Sequence, residues 1–101
     1  MTKAHEPITP GEILLTEFLE PLHISQYRLA QATGLPQTRI SEIVRGKRSI
    51  TIETALRLSK ALGTDERFWI NIQNDYDLEV ERDLHGAELD RVTVLSRVEG
   101  H

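Results

Sequence analysis

The chain has 101 residues, no cysteine and a formal net charge of −4 at neutral pH. This length fits one domain with a modest core, and the lack of cysteine excludes a disulfide framework and a thiolate metal site. The first residues lack the apolar stretch of a secretory signal, and no apolar run approaches the length of a membrane helix. We therefore expect a cytoplasmic protein.

An N-terminal arm, residues 1–8, is predicted to precede the first helix. Thr9 has the chemistry of an N-cap, Pro10 suits the first helical position, and Glu12 completes a capping-box pattern. The helix is expected to end near Pro21, with His23 in a loop. Its apolar residues recur at helical spacing: Ile13, Leu14, Leu15, Phe18, Leu19 and Leu22.

Two short helices joined by a tight turn are predicted over about residues 25–45. Ser25 is a good N-cap, Gly34 supplies the positive φ that reverses the chain, and Pro36 stands where the second helix begins. Gly46 closes that helix. The expected inward residues are Leu29, Ala30 and Ala32 in the first helix and Ile40, Ile43 and Val44 in the second.

This unit has the helix-turn-helix pattern, with a polar outward face on its second helix. An α-helix fits the DNA major groove, where Gln pairs with adenine, Arg pairs with guanine and the Thr methyl packs on thymine. Gln37, Thr38 and Arg39 have these chemistries. The alternative interpretation is a helical hairpin that only packs, with a solvated polar face.

Charge is unevenly distributed along the chain. Residues 26–60 carry seven Lys or Arg against two Glu, whereas the segments before and after them are acidic, with net charges of −3 and −6. A basic middle between acidic ends concentrates the attraction for an anionic partner on one face. The acidic ends should weaken non-specific DNA binding.

A fourth helix is predicted after Thr51 and a fifth from about residues 64–66. Gly63 ends the fourth, whose expected core residues are Ile52, Ala55, Leu56, Leu58, Ala61 and Leu62. In the fifth, an apolar stripe either completes the core or forms part of a two-fold dimer interface: Phe68, Trp69, Ile72, Tyr76 and Val80.

The last stretch, residues 81–101, is interpreted as a C-terminal extension to a domain at residues 9–80. Leu84, Leu89, Val92, Leu95 and Val98 fit an amphipathic helix, whereas residues 92–94 fit a short strand. A tail ordered by a partner is the third alternative.

Catalysis is not expected. The four histidines are scattered, and there is no phosphate loop, nucleophile elbow or cysteine nucleophile. The alternating acidic run at residues 75–83 is interpreted as a solvated face, because Mg²⁺ and Ca²⁺ need convergent oxygens. We predict no catalytic residue, no metal and no cofactor.

Over about residues 7–79 the chain resembles the HigA-type antitoxins, which are λ-repressor-like (XRE) helix-turn-helix proteins. The strings that carry the resemblance are PGEIL at residues 10–14, EFLEPL at 17–22, RISEIV at 39–44, GKR at 46–48, TALRL at 54–58, LGT at 62–64, FW at 68–69 and YDL at 76–78, together with Asn71 and Gln73.

The resemblance implies an all-α, five-helix domain that dimerises, binds the operator DNA of its own operon as an autorepressor and neutralises a HigB-like toxin. That toxin is an mRNA endonuclease. Carried onto this chain, the base-reading residues are Gln37, Thr38, Arg39, Ser41 and Glu42. The phosphate-binding residues are Gln26, Arg45, Lys47, Arg48, Ser49 and Thr51.

Gln26 is included because it opens a helix, where backbone amides favour an anion. Glu42 either accepts from cytosine N4 or only pairs with Arg39 or Arg45 on its own helix. A stand-alone repressor without a toxin, and a protein–protein adaptor that has lost DNA binding, are the alternative functions.

Overall fold

Over residues 6–96, which the computed structural model describes, the chain forms five helices and no strand. The predictions for residues 1–5 and 97–101 lie outside the described residues. The first helix, α1, consists of three consecutive segments, Pro10–Ile13, Leu14–Leu19 and Glu20–Leu22, and it is followed by α2 (Gln26–Thr33), α3 (Gln37–Val44), α4 (Ile52–Leu62) and α5 (Phe68–Asp90).

Helix α1 begins as predicted and carries a proline near its end. The Thr9 side chain accepts from the backbone N–H of Glu12 at 3.1 Å. The middle segment, Leu14–Leu19, is π-helical, and the N–H of Glu20 donates to the carbonyl of Leu15. A proline ring clashes with the carbonyl four residues before it in a regular α-helix. The wider turn just before Pro21 relieves that clash, so the helix continues to Leu22.

The turn between α2 and α3 follows the local signals. Ser25 Oγ accepts from the N–H of Arg28 at 3.0 Å, and Gly34 has a φ of 75° after the last residue of α2. Pro36 is the N-cap of α3, one residue before its first helical position. The start of α2 and the glycine turn are confirmed.

One core joins all five helices. Trp69 lies at its centre, with its ring centroid 5.0 Å from those of Phe18 and Phe68. The buried apolar residues are Leu14, Leu19, Leu29, Ala30, Leu35, Ile40, Ile43, Ile50, Ala55, Leu58 and Trp69.

Four predicted core residues are wrong. Ile52 and Leu56 are 68% and 44% exposed, and Ala61 and Ala32 are exposed as well. The buried residues of α4 are Thr54, Ala55, Leu58 and Ser59, with Leu62 half-buried, so the predictions for Ala55, Leu58 and Leu62 are confirmed. The predicted face of α4 therefore has the right direction but is too wide, because it includes the exposed Ile52, Leu56 and Ala61.

Helix α5 begins later and extends further than predicted. The Asp65 carboxylate accepts from the N–H of Arg67 at 2.8 Å, so residues 65–67 form a turn rather than the first helical turn. The helix continues to Asp90 with a break at His85, where φ is −128° and ψ is 21°. Residues 92–94 do not form a strand, so that alternative is wrong. Of the extension's apolar residues that the structure describes, Leu84 and Leu89 lie on the helix and Val92 and Leu95 do not, whereas Val98 lies outside the described residues.

Helices α1 and α3 meet backbone to backbone. A Cβ atom on Gly11 would lie 1.7 Å from the carbonyl oxygen of Ile43 and 2.9 Å from the Cα of Val44. Only glycine allows this approach. The C-terminal end of α3 is thereby fixed against the core.

Candidate nucleic-acid interface

Helix α3 presents a polar edge to solvent. Ile40 and Ile43 are 0% and 1% exposed and attach the helix to the core. Gln37 and Thr38 are exposed on its first turn, and Arg39, with 31% of its side chain exposed, lies at the flank. Ser41 and Glu42 are half-buried.

A basic loop, residues 45–51, follows α3 directly. Gly46 has a φ of 75°, and the N–H of Lys47 donates to the carbonyl of Glu42 at 2.8 Å, which reverses the chain beside the helix end. Five of the predicted phosphate contacts lie exposed in this loop: Arg45, Lys47, Arg48, Ser49 and Thr51. The sixth, Gln26, is half-buried at the start of α2.

Glu42 has a partner that the sequence reasoning did not name. Arg48 Nε donates to Glu42 Oε1 at 2.8 Å, across the turn at Gly46. Of the two alternatives for Glu42, pairing with Arg39 or Arg45 on its own helix is wrong, and the contact with cytosine stays a prediction. The basic loop folds back on α3, which brings Arg48 closer than the helical neighbours at i±3.

Arg39 lies beside a second glutamate, on α4. Arg39 Nη1 is 4.0 Å from Glu53 Oε1, and Arg57 Nε donates to Glu53 Oε2 at 3.2 Å. Arg57 Nη1 also donates to the carbonyl of Thr33, the last residue of α2, at 2.7 Å. Polar contacts thus connect α4 to Arg39 on α3 and to Thr33 at the turn before α3.

Gln73 on α5 is hydrogen-bonded to the backbone of the basic loop. Its Oε1 accepts from the N–H of Ile50 at 2.8 Å, and its Nε2 donates to Asp77 Oδ1 at 2.9 Å. The side chain is 4% exposed. The one sign of this contact in the sequence is a polar residue within an otherwise apolar helical stripe.

The residues of the predicted dimer stripe on α5 differ in how deeply they are buried. Trp69 is 0% exposed and packs in the core of its own chain, so the expectation that it suits an interface is wrong. Phe68 and Ile72 are half-buried against the same core. Tyr76 and Val80 are half-buried further along the helix.

Neither a metal-binding cluster nor a membrane-spanning helix is found in the part of the chain that the structure describes. Within residues 6–96, no group of three or more His, Cys, Asp or Glu side chains is close enough to hold a metal ion. No helix in that range is long and apolar enough to cross a membrane.

Comparison with known proteins identifies the same architecture elsewhere. The HTH_3 helix-turn-helix family model matches residues 15–69. Antitoxin HigA-1 of Vibrio cholerae is 40% identical over 72 residues, which cover 71% of this chain and 68% of that protein. Virulence-associated protein I of Dichelobacter nodosus is 48% identical over 73 residues, covering 72% of this chain and 68% of that protein.

A solved structure extends the similarity to the fold. The Pseudomonas aeruginosa antitoxin HigA, determined with the higBA promoter, superposes with a TM-score of 0.84 at 35% identity, covering 90% of this chain and 100% of that one. The matched regions include the polar edge of α3 and the basic loop. The chain therefore belongs to the XRE-type helix-turn-helix family, whose members are DNA-binding and non-enzymatic, and within it to the HigA-type antitoxins.

Proposed function

We propose that this protein is an antitoxin that binds its own operator as a dimer and neutralises a HigB-like mRNA endonuclease. One observation carries the DNA-binding part: the polar edge of α3 and the basic loop are adjacent and exposed together. A side chain that reaches base edges and cations that reach phosphates are the two contact classes that an operator-binding surface needs.

The base-reading residues of this proposal are Gln37, Thr38 and Arg39 at the start of α3, with Ser41 and Glu42 further along. The Gln37 side chain can hydrogen-bond to adenine and the Arg39 side chain to guanine in the major groove. The phosphate-binding residues are Gln26 and the exposed polar side chains of the basic loop. Similarity to an antitoxin determined with promoter DNA supports this division.

The dimer is proposed to form along α5, through Ile72, Tyr76 and Val80 and the exposed edge of Phe68. Trp69 supports this helix from within the core. A two-fold pair would present its two α3 helices to half-sites of an inverted repeat about 34 Å apart, or a multiple of it.

A gel-shift assay on the DNA upstream of the protein's own gene tests the DNA-binding part. We expect a discrete complex that competitor DNA of random sequence displaces only at large excess. Equal competition by operator and random DNA would contradict the proposal. The expected complex contains two protein chains per inverted repeat, which light scattering of the complex measures.

The toxin-binding part is supported by the similarity to HigA-1 and by the acidic segments that flank the basic middle. An acidic surface attracts a basic ribonuclease. Co-expression with a small basic protein from the neighbouring gene should give a copurifying complex without ribonuclease activity. If no neighbour copurifies while operator binding holds, the protein is a stand-alone repressor.

A further inference from the structure

We propose that Glu53 is a positioning residue for base recognition: it orients Arg39 and at the same time lowers the affinity for DNA of any sequence. The proposal rests on the DNA-binding part of the proposed function and deepens it. Glu53 lies on the first turn of α4, outside the helix-turn-helix, and it is one of only two acidic residues in the basic stretch 26–60.

The two oxygens of the Glu53 carboxylate face two different arginines. Oε2 accepts from Arg57 Nε at 3.2 Å, and Oε1 lies 4.0 Å from Arg39 Nη1. The first distance is a hydrogen bond, whereas the second is an ion pair without one. Arg39 is therefore attracted toward one position, yet its guanidinium donors are left for another acceptor.

Arg57 holds the Glu53 carboxylate in place, because Arg57 is itself hydrogen-bonded to the backbone. Its Nη1 donates at 2.7 Å to the carbonyl of Thr33, at the turn between α2 and α3. A Cβ atom on Gly34 would be 3.1 Å from the same Nη1, so the guanidinium lies close against the turn. The contacts form one sequence, from the turn through Arg57 and Glu53 to Arg39.

The two consequences of this arrangement differ in their dependence on DNA sequence. Orientation of a guanidinium favours binding only where guanine presents its O6 and N7 acceptors. A negative charge next to the DNA surface repels phosphates whatever the bases are. Orientation of Arg39 therefore raises the ratio of operator affinity to random-DNA affinity, whereas the repulsion lowers both affinities and leaves their ratio unchanged.

The test compares operator and random DNA binding by Glu53→Gln, which keeps the shape of the side chain and removes its charge. We expect tighter binding to random DNA and a ratio that falls by about 3- to 10-fold, a fraction of what one arginine–guanine pair supplies. Glu66→Gln is the matched control, because it removes the same charge from an exposed residue away from α3. It should leave the ratio unchanged.

Arg57→Lys separates orientation from charge. Lysine keeps the positive charge but has no fork with which to bind Thr33 and Glu53 together. We expect the ratio to fall while random-DNA affinity stays the same. In an Arg39→Ala background, Glu53→Gln should strengthen operator and random-DNA binding alike and leave their ratio unchanged, because the side chain that Glu53 orients is gone.

An unchanged ratio in Glu53→Gln, with operator binding intact, would overturn the inference and leave the proposed function standing. The same holds if the effects of Arg39→Ala and Glu53→Gln on the ratio simply add. Failure of the unmodified protein to prefer its operator would instead overturn the proposed function, and this inference with it.

Discussion

Gly11 lies at a close backbone contact that leaves no room for a side chain. Because its missing Cβ would meet the Ile43 carbonyl at 1.7 Å, Gly11→Ala must separate α1 from α3. We expect the free energy of unfolding to fall by about 3 kcal/mol, at the upper end of the usual cost of overpacking. Urea denaturation followed by circular dichroism measures it.

Gly86→Ala is the control for this prediction. Gly86 lies within α5, and a Cβ there has no neighbour within 4 Å. Alanine should therefore stabilise the helix by about 0.5–1 kcal/mol. Equal effects of the two substitutions would show that the contact between α1 and α3 is looser than the geometry indicates.

Arg39 and Lys47 should differ in the kind of binding they supply. Arg39→Ala is expected to relax specificity at one base position, at a cost of about 1–3 kcal/mol on the operator. Lys47→Ala should weaken binding to all sequences alike and reduce the slope of log K against log salt by about one. Titrations of operator and random DNA at several salt concentrations measure both.

The opposite result for either variant would reassign the role of that residue. If Arg39→Ala weakened operator and random DNA equally, Arg39 would be a phosphate contact. If Lys47→Ala changed the base preference, the basic loop would reach into the groove.

At the scale of an element, the basic loop depends on α5. Gln73→Leu would leave the N–H of Ile50 buried without an acceptor, which costs about 1–3 kcal/mol. We expect a lower midpoint of unfolding, faster hydrogen exchange at the Ile50 amide and weaker DNA binding. Calorimetry, amide exchange by NMR and gel shifts provide the three measurements.

Asn74→Ala is the neighbouring control, since Asn74 is exposed on the same helix. It should change none of the three quantities. If Gln73→Leu lowered stability but left exchange at Ile50 unchanged, the hydrogen bond to the loop would not be the cause.

The elements differ in how far the sequence predicts them, and the reason is the range of the signal. Thr9, Ser25 and Thr51 each accept from an N–H three residues on, so a local pattern predicts these helix starts. The start of α5 lies later than predicted because Asp65, three residues before Phe68, accepts from an N–H two residues on and so caps a turn rather than the helix. A cap pattern does not distinguish the two.

The polar edge of α3 and the basic loop could be predicted, because their order along the chain is their order in space. The long-range hydrogen bonds that support them from α4 and α5 could not be predicted. Arg57 reaches Thr33 across 24 residues, and Gln73 reaches Ile50 across 23. Pairs at that separation depend on how the helices pack, which neither periodicity nor propensity specifies.

At the scale of the whole molecule, the position of the dimer interface decides whether both copies can bind one duplex. Val80→Asp would place like charges on both sides of the proposed two-fold axis. We expect it to shift the protein toward monomer and to weaken operator binding more than random-DNA binding. Sedimentation velocity and the gel shift measure the two effects.

Leu56→Asp is the matched control on α4, where an apolar side chain is 44% exposed outside the proposed interface. It should leave the dimer intact. If Leu56→Asp dissociated the protein and Val80→Asp did not, the two chains would associate through α4 instead.

The widened turn of α1 means that this helix contains one residue more than its buried positions require. Leu14 and Leu19 are five residues apart and are 0% and 2% exposed, although in a regular helix of 3.6 residues per turn they would point about 140° apart. Removing one residue between them, together with Pro21→Ala, would restore a four-residue spacing and keep both leucines inward. In a regular α-helix, deleting one residue rotates all the side chains that follow it by about 100°. In the widened turn of α1, the same deletion is compatible with the existing core.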